Sequence, residues 1–302
     1  MKSIGNIRKI TKTMEMVSVA KMKKAVDRAT RSRLYSTKTR QIIKLLGGHE
    51  SLAQHSLVVP RISDKVDIYD RELLVIIAGD KGLCGSYHVQ LAKTLREYIQ
   101  KKSIASPYKA DVIAIGRYGE KIANKLGLPI EVSFSGLPES LDIDKEVYAI
   151  RNFILKAYAS TKYYKVMIAS TEYHRSMFYT PSLDQLLPFA TNLEHDPNEF
   201  VDTQRQKSEH TTEEDPTAYA FEPDTTTIFD FLAPSIISAL LLQALFDSKA
   251  SEHSSRMITM KNASDNAENL RGELQMSYNR VRQALITQEI TEIISGVSAL
   301  ED

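Results

Sequence analysis

Cysteine is almost missing from the chain: Cys84 stands alone among 302 residues, so no disulfide can form within it. A lone thiol fits a reducing compartment. Proline is missing from both ends, since all ten prolines lie between Pro60 and Pro234. Beyond Pro234 only two glycines follow, Gly272 and Gly296. Without the two strongest helix breakers, nothing in the last seventy or so residues interrupts a helix. No apolar run approaches the roughly eighteen residues of a bilayer span, so none is expected. The N-terminus has no apolar signal core, and its basic, Ser/Thr-containing start reads as mature protein continuing into a helix. Net charge is only +1, which excludes a strongly polyanionic or polycationic chain as a whole. With 42% apolar and 25% charged residues it is also too hydrophobic to be disordered.

What is present is a helical pattern at both ends. Ala267, Leu270, Leu274, Val281 and Ala284 form a heptad seam, with Ser277 and Gln288 as its polar members. A second stripe of Ile286, Ile290, Ile293, Val297 and Leu300 carries the pattern almost to the end. One helix from about Thr225 would be roughly 115 Å long, too long to bury itself in a small domain. At the other end, Ile7, Ile10, Met14 and Val17 alternate at three and four residues. Lys21 and Lys24 then take the seam positions, and the apolar face drifts to Met22, Ala25, Val26 and Ala29. Gly47-Gly48 closes this helix as a C-cap pair, after roughly 65 Å. Two long, incomplete seams predict an antiparallel coiled coil of the N- and C-terminal helices, over 1–48 and 225–302, with a domain inserted between them.

The insert, 70–190, reads as α/β. Leu73-Leu74-Val75-Ile76-Ile77-Ala78, Asp111-Val112-Ile113-Ala114-Ile115-Gly116 and Lys165-Val166-Met167-Ile168-Ala169 are apolar runs of strand length, buried on both faces. Glu131 to Phe134 adds a further strand and Ser176 to Pro188 an edge strand. Helices fall near Ser86–Lys102, Tyr118–Leu126 and Asp144–Ser160. Strands alternating with helices predict a doubly wound, Rossmann-like sheet. Residues 191–224 form an acidic loop and edge strand: from Glu194 to Asp224 there are ten acidic residues against Arg205 and Lys207. The first 45 residues are the opposite, thirteen basic side chains against Glu15 and Asp27.

Sites for chemistry are scarce. Gly79-Asp80-Lys81-Gly82-Leu83-Cys84-Gly85 joins a strand to a helix, where phosphate is often held on backbone N–H groups. Its spacing matches neither G-x-G-x-x-G nor the P-loop, so it reads as a structural turn exposing Lys81. Cys84 reads as a packed thiol. His88 and His174 lack partners for nucleophilic catalysis, and the seven histidines show no metal-ligand spacing. No catalytic residue, cofactor or metal is expected. The basic N-terminal helix leaves three readings open: phosphates of a nucleic acid, an acidic protein surface, or a solvated face.

Three stretches carry a family resemblance. Ile10-Thr11-Lys12-Thr13-Met14-Glu15-Met16-Val17 with Ala20-Lys21-Met22 resembles the N-terminal helix of the gamma subunit of F-type ATP synthase. The glycine loop from Gly79 to Gly85 is similar to that family's central loop. The segments Ala250–Met257, Asn262–Ala267 and Arg280–Gly296 resemble its C-terminal helix, so that the resemblance covers the whole chain in order. It implies a non-catalytic rotor shaft turning within three alpha and three beta subunits, resting on epsilon and the c-ring, with no nucleic-acid partner. Arg282, Gln283 and Thr287 are then expected to meet a loop of beta. Lys12, Met14, Lys21, Lys24, Lys81 and Arg256 are expected near beta's acidic lever segment. The family usually has arginine where Lys81 stands, which keeps the charge and loses the bidentate fork. Relative to most members the chain starts late, its acidic stretch is long, and a two-cysteine regulatory insert is missing. The implied location is the cytoplasmic face of a bacterial plasma membrane, peripheral to it, with the matrix side of the mitochondrial inner membrane as the alternative. Two other classes remain: a small nucleotide-dependent α/β enzyme with helical arms, and a nucleic-acid-binding helix pair.

Overall fold

The computed structural model describes residues 2–47, 50–52, 54–59, 71–104, 107–138, 143–189 and 222–301. Helix α1 spans Lys2–Gly47 and α5 spans Thr225–Glu301. Between them come β1 (Arg71–Ile77), α2 (Tyr87–Lys102), β2 (Lys109–Ile115), α3 (Arg117–Leu126) and β3 (Ile130–Phe134). These are followed by α4 (Tyr148–Ala159), entered through a π turn at Ile143–Val147, then β4 (Tyr163–Arg175) and β5 (Phe178–Leu187). The acidic stretch expected at 194–215 lies outside the described residues, as do Tyr219, Ala220 and Phe221 of the expected edge strand. The chain divides into two compact units, Met1–Ala20 with Arg256–Asp302, and Lys21–Ser255.

The larger unit is built on a five-stranded sheet of order β3-β2-β1-β4-β5. The first four strands are parallel, and β5 pairs antiparallel with β4. Along β1 successive side chains serve opposite faces. Leu74 and Ile76 pack with Val112 and Ala114 of β2, Leu91 and Leu95 of α2 and Ile122 of α3. Leu73, Val75 and Ile77 pack with Ile150 and Ile154 of α4, Ile43 and Leu46 of α1, and Phe229, Ile237 and Leu241 of α5. Helices on both faces make the sheet doubly wound, as its apolar strands predicted. Gly116, at φ +81°, turns β2 into α3 so close to β1 that a β-carbon there would lie 2.3 Å from the Ala78 carbonyl.

One strand expectation was too short. The strand expected to stop at Ala169 continues to Arg175 because Ser170, Thr171, Glu172 and Tyr173 pair with Ser182, Pro181, Thr180 and Tyr179 of β5. Buried partners hold this polar stretch: Ser170 Oγ lies 3.1 Å from Ser182 Oγ, the Thr171 N–H donates to Ser248 Oγ at 3.2 Å, and Ser251 Oγ donates to the Thr171 carbonyl. Pro181 is tolerated because β5 is an edge. A bilayer-length apolar stretch, not expected from the sequence, does occur: on length and composition α5 contains one. Its apolar residues Phe229, Ala233, Ile236, Ile237, Leu240 and Leu241 are core residues of the larger unit.

Within this unit α1 and α5 run antiparallel, with Ala25 packed on Ala250 and the Ala29 carbonyl accepting from Gln243 Nε2. The drift of the apolar face to Ala25 and Ala29 is as expected, both being buried. Arg33 donates to the Tyr173 carbonyl at 2.8 Å and to Asp247 Oδ1 at 3.1 Å, tying α1, β4 and α5 together. Burial raises the Asp247 carboxyl above the usual range, against the lowering effect of the Gln243 hydrogen bond and the Arg33 charge.

In the smaller unit the expected seam is turned the other way. Ile7, Ile10, Met14 and Val17 are exposed, Ile10 at 60%. Arg8, Thr11, Glu15 and Ser18 face inward instead, Ser18 being buried and Arg8 lying 3.1 Å from Glu268. Three-and-four periodicity reveals an apolar face without saying what covers it. On α5, Met260, Ser264 and Ala267 are buried, but Leu270, Leu274 and Val281 of the predicted heptad are exposed.

Candidate partner-binding surfaces

From Glu268 to Ile294 every described side chain of α5 is exposed except Asn279, which is half-buried. The stretch carries Leu285, Ile286, Ile290, Ile293 and Ile294, with Ile293 at 65% exposure. A soluble surface normally breaks up such a run, so an apolar stripe on a helix of this length marks a contact with another molecule. The side chains of Val297 and Leu300, expected to extend the stripe, lie outside the described residues. Gln288 bridges to Glu292 at 2.9 Å, and Thr287 Oγ1 donates to the Gln283 carbonyl at 3.0 Å. The Gln283 side chain and the Arg282 guanidinium remain exposed on the same stretch of helix.

The expected site residues do not form one cluster. Lys12 is exposed and pairs with Glu15 at 3.0 Å, so its charge is partly offset within α1. Met14 is exposed beside Lys9, Ile10 and Thr13, which together line a shallow groove. Lys21 is half-buried and Lys24 exposed. Arg256 is only 7% exposed, so most of its side chain lies within this chain rather than presented outward.

Lys81 is exposed on the glycine loop after β1, as expected. The loop is fixed from several sides. Asp80 accepts from the N–H groups of Arg117 and Gly136 at 3.0 Å each, and Ser255 Oγ on α5 donates to the Cys84 carbonyl at 2.6 Å. Gly79 lies against Glu252: a β-carbon there would stand 2.5 Å from the carboxyl. That places a carboxylate at the turn. Cys84 is buried at 2% exposure, as a packed thiol should be. His88 stacks on Tyr118 at 3.8 Å between ring centroids. Among the described residues no group of three His, Cys, Asp or Glu side chains is arranged to hold a metal.

Sequence reasoning missed the charged cluster at the amino ends of the strands. Glu72 is fully buried in β1, with Tyr98 and Tyr108 hydroxyls donating to Oε2 at 2.8 Å and Tyr164 donating to Oε1. Lys102 stands 3.8 Å away. Burial and the neighbouring Glu72 charge push the Tyr108 hydroxyl well above its ordinary pKa, so it stays a donor. Beside it, Asp111 receives Arg71 at 2.8 Å, Lys162 at 2.7 Å and Tyr163 at 2.9 Å. Burial alone would raise this carboxyl, but hydrogen bonds from Lys162 and Tyr163 with the Lys162 and Arg71 charges hold it below the usual range. Tyrosines two or more elements apart give no local signal, so only the fold brings them together. The cluster is satisfied internally and stabilises the unit.

Comparison with known proteins decides among the three classes. A family model described as ATP synthase matches residues 1–300. The ATP synthase gamma chain of Variovorax paradoxus is 33% identical over 298 residues, covering 99% of this chain and 95% of that one. The chain belongs to the gamma-subunit family of F-type ATP synthases. The gamma chain of Cupriavidus metallidurans is likewise 33% identical, with 99% of this chain and 96% of that one covered. Among solved structures, a chain of the Euglena gracilis mitochondrial ATP synthase OSCP/F1/c-ring structure superposes with a TM-score of 0.61 at 19% identity, covering 99% of this chain and 91% of that one. A chain of the Tetrahymena thermophila mitochondrial ATP synthase central stalk and c-ring structure does so with a TM-score of 0.59 at 21% identity, over 84% and 99%. At such identities these two establish the shared fold: terminal helices around an inserted α/β domain.

Proposed function

We propose that this chain is the central-stalk rotor of an F-type ATP synthase, and that it does no chemistry itself. It turns inside a ring of three alpha and three beta subunits, and its asymmetry makes the three beta sites differ at any moment. Ion flow through the membrane sector drives the rotation in the synthetic direction. The observation that carries this reading is the exposed apolar helix from Leu270 to Ile294, with the outward stripe of Ile7, Ile10, Met14 and Val17. A bearing surface must exclude water and yet slide, so apolar side chains without fixed ion pairs suit it.

In this reading Arg282, Gln283 and Thr287 engage a loop of beta, and their exposure on one stretch of α5 supports it. Lys12, Met14, Lys21, Lys24 and Lys81 pass beta's acidic lever segment, with Arg256 steadying the helix from within. Epsilon and the c-ring bind the larger unit, which makes the chain peripheral to the cytoplasmic face of a bacterial membrane. Co-expression with the alpha and beta chains of the same organism, followed by native mass and ATPase assays, tests the assignment. One copy per three alpha and three beta, with hydrolysis that requires this chain, is the expected result. A chain that stays apart from the ring would overturn it.

A further inference from the structure

Chain order and spatial order part company once in the sheet. Strands β1, β2 and β3 lie side by side in sequence order, and β4 then returns to the other side of β1. In an open, doubly wound sheet the ligand crevice lies at such a reversal, outside the carboxyl ends of the two strands. Here that place is beyond Ile77 of β1 and beyond Ala169 of β4, which pairs with Ile76. It is filled by one stretch of α5, from Ser248 to Ser255.

The contacts of this stretch reach both strands and the helix that follows β1. On the β4 side, Ser248 Oγ accepts from the Thr171 N–H at 3.2 Å and Ser251 Oγ donates to the Thr171 carbonyl. On the β1 side, Glu252 lies against Gly79, and Ser255 Oγ donates to the Cys84 carbonyl at 2.6 Å. Tyr87, the buried first residue of α2, donates its hydroxyl to the Ser248 carbonyl at 3.0 Å. Ser248, Ser251, Glu252 and Ser255 are all buried. Polar groups that converge on backbone N–H and carbonyl groups are also how a crevice of this kind orients a bound ligand.

Gly79 shows where the carboxylate sits. Its φ lies outside the left-handed region, so the backbone conformation does not call for glycine. Space does. A β-carbon at Gly79 would stand 2.5 Å from Cδ and Oε2 of Glu252 and 2.7 Å from Oε1. The whole carboxylate thus rests on the backbone where β1 turns towards α2, the place at which doubly wound folds hold an oxyanion. Burial, and next the Glu252 charge, push the Tyr87 hydroxyl well above its ordinary pKa, which sets the carboxylate close to the start of α2. Asp80, the other acid of the turn, is taken up by the N–H groups of Arg117 and Gly136.

We propose that the chain closes its own ligand crevice: Ser248, Ser251 and Glu252 of α5 occupy it as an internal ligand, the Glu252 carboxylate taking the place of a bound oxyanion at the Gly79 turn. The crevice is thereby lost to nucleotides and other outside anions, and becomes the mount of α5 on the sheet. The closure is a property of the isolated chain, whatever ring the chain enters, so it stands or falls separately from the central-stalk reading. Removing the Glu252 side chain should leave a hole that accepts a small carboxylate.

Chemical rescue of the full chain tests it. Glu252→Ala should melt roughly 5 °C or more below wild type. Sodium formate, compared with sodium chloride at equal ionic strength, should recover most of that loss, because formate binds the folded variant where the side chain was removed. Formate should do no more than chloride for wild type and for Ile154→Ala, a core variant whose missing volume is apolar. Formate that helps all three alike, or none of them, would overturn the proposal, as would a wild-type melting temperature in Glu252→Ala. Space gives a second readout. Gly79→Ala should destabilise wild type but not Glu252→Ala, since the three atoms nearest the added methyl all belong to that carboxyl. Equal penalties in the two backgrounds would contradict the contact. Should Glu252→Ala fail to fold, Glu252→Asp takes its place in this comparison, because its carboxylate is withdrawn by one methylene. A smaller Gly79→Ala penalty is then expected, and an unchanged one would overturn the proposal.

Discussion

The larger unit and the end of α5 use the same apolar residue types to opposite ends. In the first, isoleucines and leucines of five strands and five helices close on one another, and Leu73, Leu74, Ile76 and Ile154 are wholly buried. In the second, Ile286, Ile290 and Ile293 recur with equal regularity and touch nothing that covers them. The first region stores its apolar surface as stability of the chain. The second holds it for a partner. Mutations should therefore separate the two regions cleanly.

The largest effect belongs to the closed core. Ile154→Ala should cost the isolated chain about 2–5 kcal/mol, the usual penalty for emptying a tightly packed site. Chemical denaturation reads this directly, and a loss below about 1 kcal/mol would mean the core is looser than its burial implies. Next comes the buried tyrosine cage. Tyr108→Phe removes one of the donors to the Glu72 carboxylate and should cost about 1–3 kcal/mol. Tyr98→Phe, which removes the other donor to the same oxygen, should cost a similar amount.

A pH titration sharpens the same point. The Asp111 carboxyl titrates lower in the folded chain than in the unfolded one. Its stabilisation is thus fully present above the unfolded pKa of about 3.9 and is lost as pH falls through the folded value. Asp247 has the opposite sign, because its folded pKa is raised: ionising it costs stability as pH rises, and protonating it restores that loss. Asp111→Asn should therefore flatten the acid limb of the stability curve, and Asp247→Asn should not. An unchanged acid limb in Asp111→Asn would contradict the ion cluster.

The smallest effect on the isolated chain is expected at the open stripe. Ile290→Ala should change its stability by less than about 0.5 kcal/mol, as an exposed substitution does. The same variant, like Arg282→Ala and Gln283→Ala, should weaken function only in the assembled complex. Reduced stability of the free chain would show that Ile290 is covered by the chain itself.

What the sequence made legible follows from these two modes. Apolar runs such as Leu73–Ile77 announced buried strands because both faces of a parallel sheet are covered. Helix lengths were legible from the absence of proline and glycine at the ends. The orientation of α1 was not, because the stripe of Ile7, Ile10, Met14 and Val17 looks the same whether it faces α5 or a partner. The length of β4 was hidden by Ser170, Thr171 and Glu172, polar residues that pair with β5, the Thr171 backbone being held further by Ser248 and Ser251. Nothing in the sequence marked Glu72, because Tyr98, Tyr108 and Tyr164 reach it only in the fold. The family resemblance along the chain supplied the expected partner-contact residues, which no periodicity could name.

The central claim is that the chain turns as a unit inside its ring. The direct measurement fixes the alpha and beta ring to a surface and attaches a probe to the larger unit through Ile104→Cys. Unidirectional rotation of the probe on adding ATP, with three equivalent pauses per turn, is the predicted result. ATP hydrolysis by the same immobilised complexes with a stationary probe would contradict it.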